Sequence, residues 1–131
     1  MKRNRETSNK KAAFVWLNAA LVSITPHCIQ VIGKRPRGGR IVFEFSPYQG
    51  IKITSIDCFP GFPGTIAGKV GHVCEVRDSK WLSALRRALE ATDHSADFLD
   101  HSKHFVLSTE GAVVEIVAWS WKIKRSPMTL R

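Results

Sequence analysis

Residues 103–124, KHFVLSTEGAVVEIVAWSWKIK, predict a β-hairpin that closes the fold. In the first arm, Phe105 and Leu107 occupy alternate positions, and Glu110-Gly111 supplies the turn. The second arm is apolar on both faces over residues 113–118 and becomes polar on one face beyond Trp119. The last strand is therefore predicted to begin in the middle of a sheet and to end near its periphery.

Glu115 interrupts the apolar second arm. Strict alternation predicts that it shares a face with Val113, Val117, Trp119, Trp121 and Ile123. A carboxylate at a core position needs a partner, or its pKa rises. Lys52, Lys103 or a buried backbone donor could be that partner. Because Glu is rarely fully buried, we expect instead that Glu115 lies where the sheet face meets solvent.

The segment before the hairpin predicts an amphipathic helix from Lys80 to Thr92. Asp78 or Ser79 can cap its N-terminus. Its apolar residues follow the spacing i, i+1, i+4, i+7 and i+8 and form one stripe: Trp81, Leu82, Leu85, Ala88 and Leu89. A single stripe predicts that the helix packs on one face of a sheet.

Four upstream segments have the alternation or the β-rich composition of strands: 28–33, 40–46, 51–57 and 72–77. The first three predict an antiparallel meander, with a turn at SPYQG, residues 46–50. The element order becomes β-β-β-β-α-β-β. We therefore predict an α+β fold in which one main helix packs on one face of an antiparallel sheet.

The basic charge lies mostly outside the predicted folded body. The net charge is +9, and residues 1–11, 34–40 and 122–131 each contribute +4, whereas residues 41–121 contribute −3. A high overall charge therefore reports solubility and non-specific association rather than a binding site.

The length of 131 residues suits one domain. We predict a basic mobile tail at 1–11, a single α+β domain at 12–125 and a C-terminal tail at 126–131.

The N-terminal region outlines a secretory signal without completing one. A basic stretch precedes the apolar run 12–24, but no A-x-A-like cleavage site follows it. The run is also shorter than the roughly 20 residues that span a bilayer. We expect a core element here and a cytoplasmic protein with no membrane span; a signal segment is the alternative.

The three cysteines, Cys28, Cys58 and Cys74, are odd in number and far apart in the sequence. This pattern predicts reduced, mostly buried thiols rather than a disulfide framework. His72 and Cys74 fall on one strand face, but a lone pair of this kind is more often structural than catalytic.

A second group of polar residues lies between the helix and the hairpin: Asp93, His94, Asp97, Asp100, His101 and His104. A zinc site needs three or four ligands in defined geometry. We interpret the 93–104 cluster as a polar connection and expect neither a metal nor a cofactor, with a metal site or a small enzyme as the alternative.

The end of the last strand interleaves aromatic and basic residues: Trp119, Trp121, Lys122, Lys124 and Arg125. Three interpretations are open: core tryptophans beside a solvated tail, a protein interface, or a platform for single-stranded nucleic acid. The basic residues of the 34–40 loop are further binding candidates: Arg35, Arg37 and Arg40.

Residues 81–118 contain WLSAL, then HFVL, a turn and VVEIVA. This stretch resembles a family of small bacterial proteins of unknown function, in which a W-L-x-x-L helix precedes a hairpin with a histidine-aromatic start and a glutamate in its second strand. The resemblance implies the helix-then-hairpin order and no activity.

Our leading hypothesis is a non-enzymatic protein-binding domain, immunity-like or accessory, in a bacterial cytoplasm. Its partner would be another protein or a second copy in a dimer. The acidic residues of the helical region could face a basic partner such as a nuclease: Asp78, Glu90, Asp93, Asp97 and Asp100. The alternatives are a nucleic-acid-associated protein that uses the basic tails and the 34–40 loop, and a small enzyme.

Overall fold

The computed structural model describes residues 9–10, 21–34, 38–59, 72–109 and 111–126. Within these ranges, seven strands form one sheet that is antiparallel at each pair. In chain order the elements are β1 (Asn9–Lys10), β2 (Leu21–Ile24), β3 (Ile29–Lys34), β4 (Arg40–Ser55), β5 (Val73–Val76), α1 (Lys80–Thr92), a 3₁₀ turn (Phe98–His101), β6 (Lys103–Ser108) and β7 (Ala112–Ser126). The sheet order is β1-β5-β6-β7-β4-β3-β2. The predicted α+β class, with one main helix on an antiparallel sheet, is confirmed.

The two long strands β4 and β7 form the spine of the sheet. They pair from Arg40 opposite Ser126 to Ser55 opposite Ala112. The predicted turn at residues 46–50 is wrong, because the chain continues through it as one strand with a bulge between Tyr48 and Gly50. A bulge absorbs an extra residue and bends the strand without ending it.

Gly50 has a packing reason to be glycine. A Cβ added there would lie 3.2 Å from Trp81 Cζ2 and 3.6 Å from Leu85 Cδ1. The absence of a side chain therefore lets α1 approach β4 closely. Glycine marks a helix–sheet contact at this position rather than a turn.

The strand assignment changes upstream as well. The predicted strand 40–46 and residues 51–55 of the predicted strand 51–57 are parts of one strand, β4. The predicted meander is replaced by the hairpins β2–β3 and β3–β4. β2 supplies the additional strand at the sheet edge, where Leu21 and Ile24 are exposed. The rest of the apolar run, residues 12–20, lies outside the described residues.

The two faces of the sheet carry separate cores. One face holds a large cluster whose most buried members have no exposed surface: Ile29, Val31, Ile41, Phe43, Phe45, Leu107 and Ala118. On the other face, Leu82 of α1 packs with Leu99 and Val117. Leu82 is the buried position of the helix stripe, and Trp81, Leu85 and Leu89 pack around it while partly exposed.

The predicted tails fall mostly outside the described ranges. Asn9 and Lys10 pair with Cys74 and Val73 of β5, and β7 extends to Ser126. The division into a mobile tail, one domain and a second tail stays a prediction. Among the described residues, no helix combines the length and the apolar character that crossing a membrane requires.

Candidate functional site

A buried chain of hydrogen bonds joins the start of α1 to the centre of the sheet. Ser79 Oγ lies 2.7 Å from His104 Nδ1, and His104 Nε2 lies 2.8 Å from Glu115 Oε1. The three residues are 7%, 4% and 5% exposed. We call Ser79, His104 and Glu115 the polar relay.

Local structure fixes the position of each relay member. Ser79 is the N-cap of α1, and the Leu82 N–H donates a 3.0 Å hydrogen bond to its hydroxyl oxygen. His104 and Glu115 lie on the neighbouring strands β6 and β7, where Glu115 pairs with Val106. Diagonal neighbours on one face of an antiparallel pair are close enough for long side chains to meet.

Asp78, the residue before the N-cap, has a backbone φ of 53°. This left-handed conformation is uncommon for residues other than glycine, although Asp adopts it more readily than most. It turns the chain sharply between β5 and α1 and places the N-cap hydroxyl beside β6.

An aromatic ring and a cation border the relay. The Trp81 ring meets the His104 ring edge-on, with centroids 5.1 Å apart. Lys52 Nζ lies 4.5 Å from the centroid of the Trp81 ring, and Lys52 is also the cross-strand partner of Glu115. A cavity of about 200 Å³ is bounded by these residues: Lys52, Val76, Asp78, Ser79, Lys80, Trp81, His104 and Glu115.

The expected position of Glu115 at the solvent boundary is wrong, because its carboxylate is buried and paired. The sequence pattern does identify Glu115 as a carboxylate within an apolar strand. Local sequence patterns place its partner His104 in the 93–104 cluster and give Ser79 only the role of a helix N-cap. Side-chain parity on β6 could have placed His104 and Val106 on one face.

The 93–104 cluster separates in the structure. His101 lies in the 3₁₀ turn with its ring against Trp119, centroids 5.4 Å apart, whereas His104 is inside the fold. Within the described ranges, no three His, Cys, Asp or Glu residues come close enough to hold a metal ion.

The cysteines differ in their environments. Cys74 packs in an apolar cluster with Val76 and Val106. Cys28 is half-buried and Cys58 is exposed, so the expectation of mostly buried thiols is wrong. All three are free thiols in the structure.

The two candidate tryptophans of β7 face opposite sides of the sheet. The Trp119 indole N–H donates a 3.0 Å hydrogen bond to the Phe98 carbonyl on the helix side. Trp121 packs on Phe43 and Phe45 of the opposite core, with centroid distances of 6.1 and 6.2 Å. The predicted shared face is wrong, because alternation breaks between the two residues, where Trp119 and Ser120 are both exposed.

The structure describes only some of the basic candidates. Arg40 is exposed at the start of β4, and Arg35 and Arg37 lie outside the described residues. Lys124 Nζ lies 2.9 Å from Glu44 Oε1, and Lys122 is the cross-strand partner of Glu44. Glu44 therefore offsets part of the positive charge at the end of β7.

The Glu44 environment predicts a pH-dependent effect. The hydrogen bond from Lys124 holds the pKa of the Glu44 carboxyl below its ordinary value of 4.5, and Lys122 adds to this lowering while burial opposes it. Lys124→Ala should therefore raise that pKa toward 4.5, which carboxyl-carbon NMR titration would measure. A pKa that is lowered in the folded state stabilises the fold at pH values above the ordinary pKa. This stabilisation is lost as the pH falls through the lowered pKa. The stability difference between wild type and Lys124→Ala should thus disappear at acidic pH, while Lys122→Ala should shift the pKa less.

A second candidate surface surrounds Trp119. Phe98 and Trp119 are 43% and 39% exposed, and the exposed His101 ring packs edge-on against Trp119. We call Phe98, His101 and Trp119 the aromatic patch. Beneath it Leu99 is buried, and an Arg86 guanidinium N–H donates to the Leu99 carbonyl at 3.3 Å.

Comparison with known proteins gave no match to a family model, to a curated protein or to a solved structure. The resemblance of residues 81–118 to small bacterial proteins stays a prediction. The relay and the aromatic patch are therefore interpreted from their own geometry.

Proposed function

We propose that the protein is a protein-binding domain and that the aromatic patch is the centre of its binding surface. The observation that carries this proposal is an exposed pair of large aromatic residues, Phe98 and Trp119, joined by the hydrogen bond from the Trp119 indole N–H to the Phe98 carbonyl. Tryptophan and other aromatic residues dominate the binding energy of protein interfaces.

The patch is held before any partner binds. Trp119 is anchored through its indole N–H, and the 3₁₀ turn is anchored by the buried Leu99 and by Arg86. The indole N–H is thus already satisfied, and the ring remains available for apolar contact. Fixed side chains lose little entropy on binding, which favours affinity.

The charge around the patch indicates a basic partner. Residues 93–101 contain Asp93, Asp97 and Asp100 and no Lys or Arg, and all three carboxylates are exposed. Acidic side chains in the segment that carries Phe98 and His101 complement a protein surface that presents Lys or Arg beside an apolar anchor. The nucleic-acid alternative, which uses the basic tails and the 34–40 loop, stays a hypothesis. Of the two rings that could stack on bases, Trp121 packs on Phe43 and Phe45.

A crosslinking experiment tests this surface. A photo-crosslinking residue is placed at position 98 and, as a matched control, at Ile53, which is apolar and 55% exposed on β4. Crosslinking in host lysate should capture a basic protein from position 98 and not from position 53.

The captured protein is then purified and titrated with the wild-type chain. Phe98→Ala and Trp119→Ala should each weaken binding about 10-fold or more, while Ile53→Ala should not, as expected when a few central aromatics dominate an interface. Association should slow with added salt. Equal capture from both positions, or affinity that the two patch variants leave unchanged, would contradict the proposal.

A further inference from the structure

We propose that Ser79 is a serine nucleophile with His104 as its general base, and that the adjoining cavity accepts a short-chain acyl ester. The inference does not depend on the protein-binding surface, and it departs from the expectation of a non-enzymatic domain. It rests on the polar relay and on its position in the wall of the cavity. A nucleophile bonded to a base that a third group orients is the general signature of covalent catalysis.

Hydrogen-bond donors and acceptors assign the protons in the relay. An ionised Glu115 can only accept, so His104 Nε2 carries the proton that it donates across 2.8 Å. The uncharged imidazole then has a lone pair on Nδ1, which accepts the Ser79 hydroxyl proton across 2.7 Å. The Leu82 N–H occupies another position on the Ser79 oxygen. This arrangement directs the hydroxyl proton toward the base.

The ring orientation differs from that of most Ser-His-Asp triads. In those enzymes Nε2 faces the serine, whereas here Nδ1 faces Ser79 and Nε2 faces Glu115. Both nitrogens can fill either role, because a neutral imidazole has one donor and one acceptor. The reversal therefore preserves the chemistry.

The cavity supplies space and positive potential next to Ser79. Its volume of about 200 Å³ admits several water-sized groups. The first-turn N–H groups of Lys80 and Trp81 have no acceptor within the helix, and they lie at its positive end. Together with the Lys52 ammonium in the cavity wall, they would stabilise an oxyanion formed on a bound ester.

The reaction balances with water as co-substrate. Ser79 Oγ attacks the ester carbonyl carbon while His104 Nδ1 takes the hydroxyl proton. The bond from that carbon to the alcohol oxygen breaks, and the imidazolium returns the proton to the leaving alkoxide. Water then attacks the acyl-serine and gives a proton to Nδ1; the carboxylic acid departs as Ser79 regains its proton. Glu115 stays ionised and stabilises the imidazolium as a positioning residue.

A covalent probe tests the nucleophile directly. The full chain is treated with a fluorophosphonate, and adducts are counted by intact mass and located by peptide mapping. One adduct per chain on Ser79 is expected. Ser79→Asn should lose it and remain folded, because Asn is also a favoured N-cap. Ser83→Ala, an exposed serine of the same helix, is the matched control and should keep it.

Two further measurements separate catalysis from a structural role. Glu115→Gln, shown to be folded by circular dichroism, should form the adduct about 100-fold more slowly if it orients the base. Hydrolysis of 4-nitrophenyl acetate should be lost in Ser79→Asn and kept in Ser83→Ala. The proposal is overturned if folded wild type takes no adduct on Ser79, if Glu115→Gln reacts at the wild-type rate, or if Ser79→Asn hydrolyses the ester as fast as wild type.

Discussion

Glu115→Ala is expected to lower the free energy of unfolding by about 1–3 kcal/mol, the range seen when a buried hydrogen-bond donor is left without its acceptor. The His104 ring would lose its hydrogen-bond acceptor, and both side chains are less than a tenth exposed. Ser79 would lose the fixed ring that holds the helix start against β6. Urea unfolding should show a lower midpoint with an unchanged slope.

A double substitution gives the control for this prediction. Removing both members of the His104–Glu115 pair leaves only the Ser79 hydroxyl without its acceptor, and apolar replacement of a buried pair is often nearly neutral. His104→Leu combined with Glu115→Met should therefore be more stable than Glu115→Ala alone. The matching single variants are His104→Leu and Glu115→Met. A double variant that loses the sum of their two separate effects would show that the residues do not interact, and the relay would then be wrong as a unit.

The fold class was predictable because its signals are local. The apolar stripe of α1, its start at Lys80 and its end at Thr92 all follow from periodicity and capping within one segment. The pairing of β6 with β7 follows from alternation around a short turn. Each of these inferences needed only residues that are close in sequence.

The internal course of β4 was not predictable in the same way. Pro47 and Gly50 are turn residues by propensity, yet β4 runs through both because β7 pairs with it on either side. Tertiary pairing therefore overrides the local preference. The break in alternation at Trp119 and Ser120 was likewise not predictable from the local pattern. One irregular step moves every later side chain of the strand to the opposite face of the sheet.

The relay was hidden for a different reason. Ser79, His104 and Glu115 come from a helix cap and two strands, and no short motif joins them. Each residue had an ordinary local interpretation, as a cap, a loop histidine and a boundary carboxylate. Only the packing of α1 on β6 and β7 shows that the three residues form one chain of hydrogen bonds.

Trp121→Ala is expected to destabilise the fold by about 3 kcal/mol, the lower end of the range for truncating a core aromatic residue, because the ring is only partly buried. The indole packs on Phe43 and Phe45, and Phe45 in turn contacts Phe105 at a centroid distance of 5.8 Å. Truncation would leave a gap beside rings that are otherwise fully enclosed. Urea or thermal unfolding would measure the loss.

Trp119→Ala is the matched control, since it removes the same side chain two positions earlier on the same strand. Trp119 is 39% exposed, and its truncation removes the indole hydrogen bond to Phe98, worth about 1 kcal/mol, and the contact with His101. The loss of stability should therefore be smaller than for Trp121→Ala. The affinity for the partner should show the reverse order. Trp119→Ala should bind the partner more weakly than wild type, and Trp121→Ala should bind it about as tightly as wild type. Equal stability losses would show that Trp119 belongs to the core. Weaker binding by a folded Trp121→Ala would move the interface to the other face of the sheet, because the break in alternation places the two rings on opposite sides of β7.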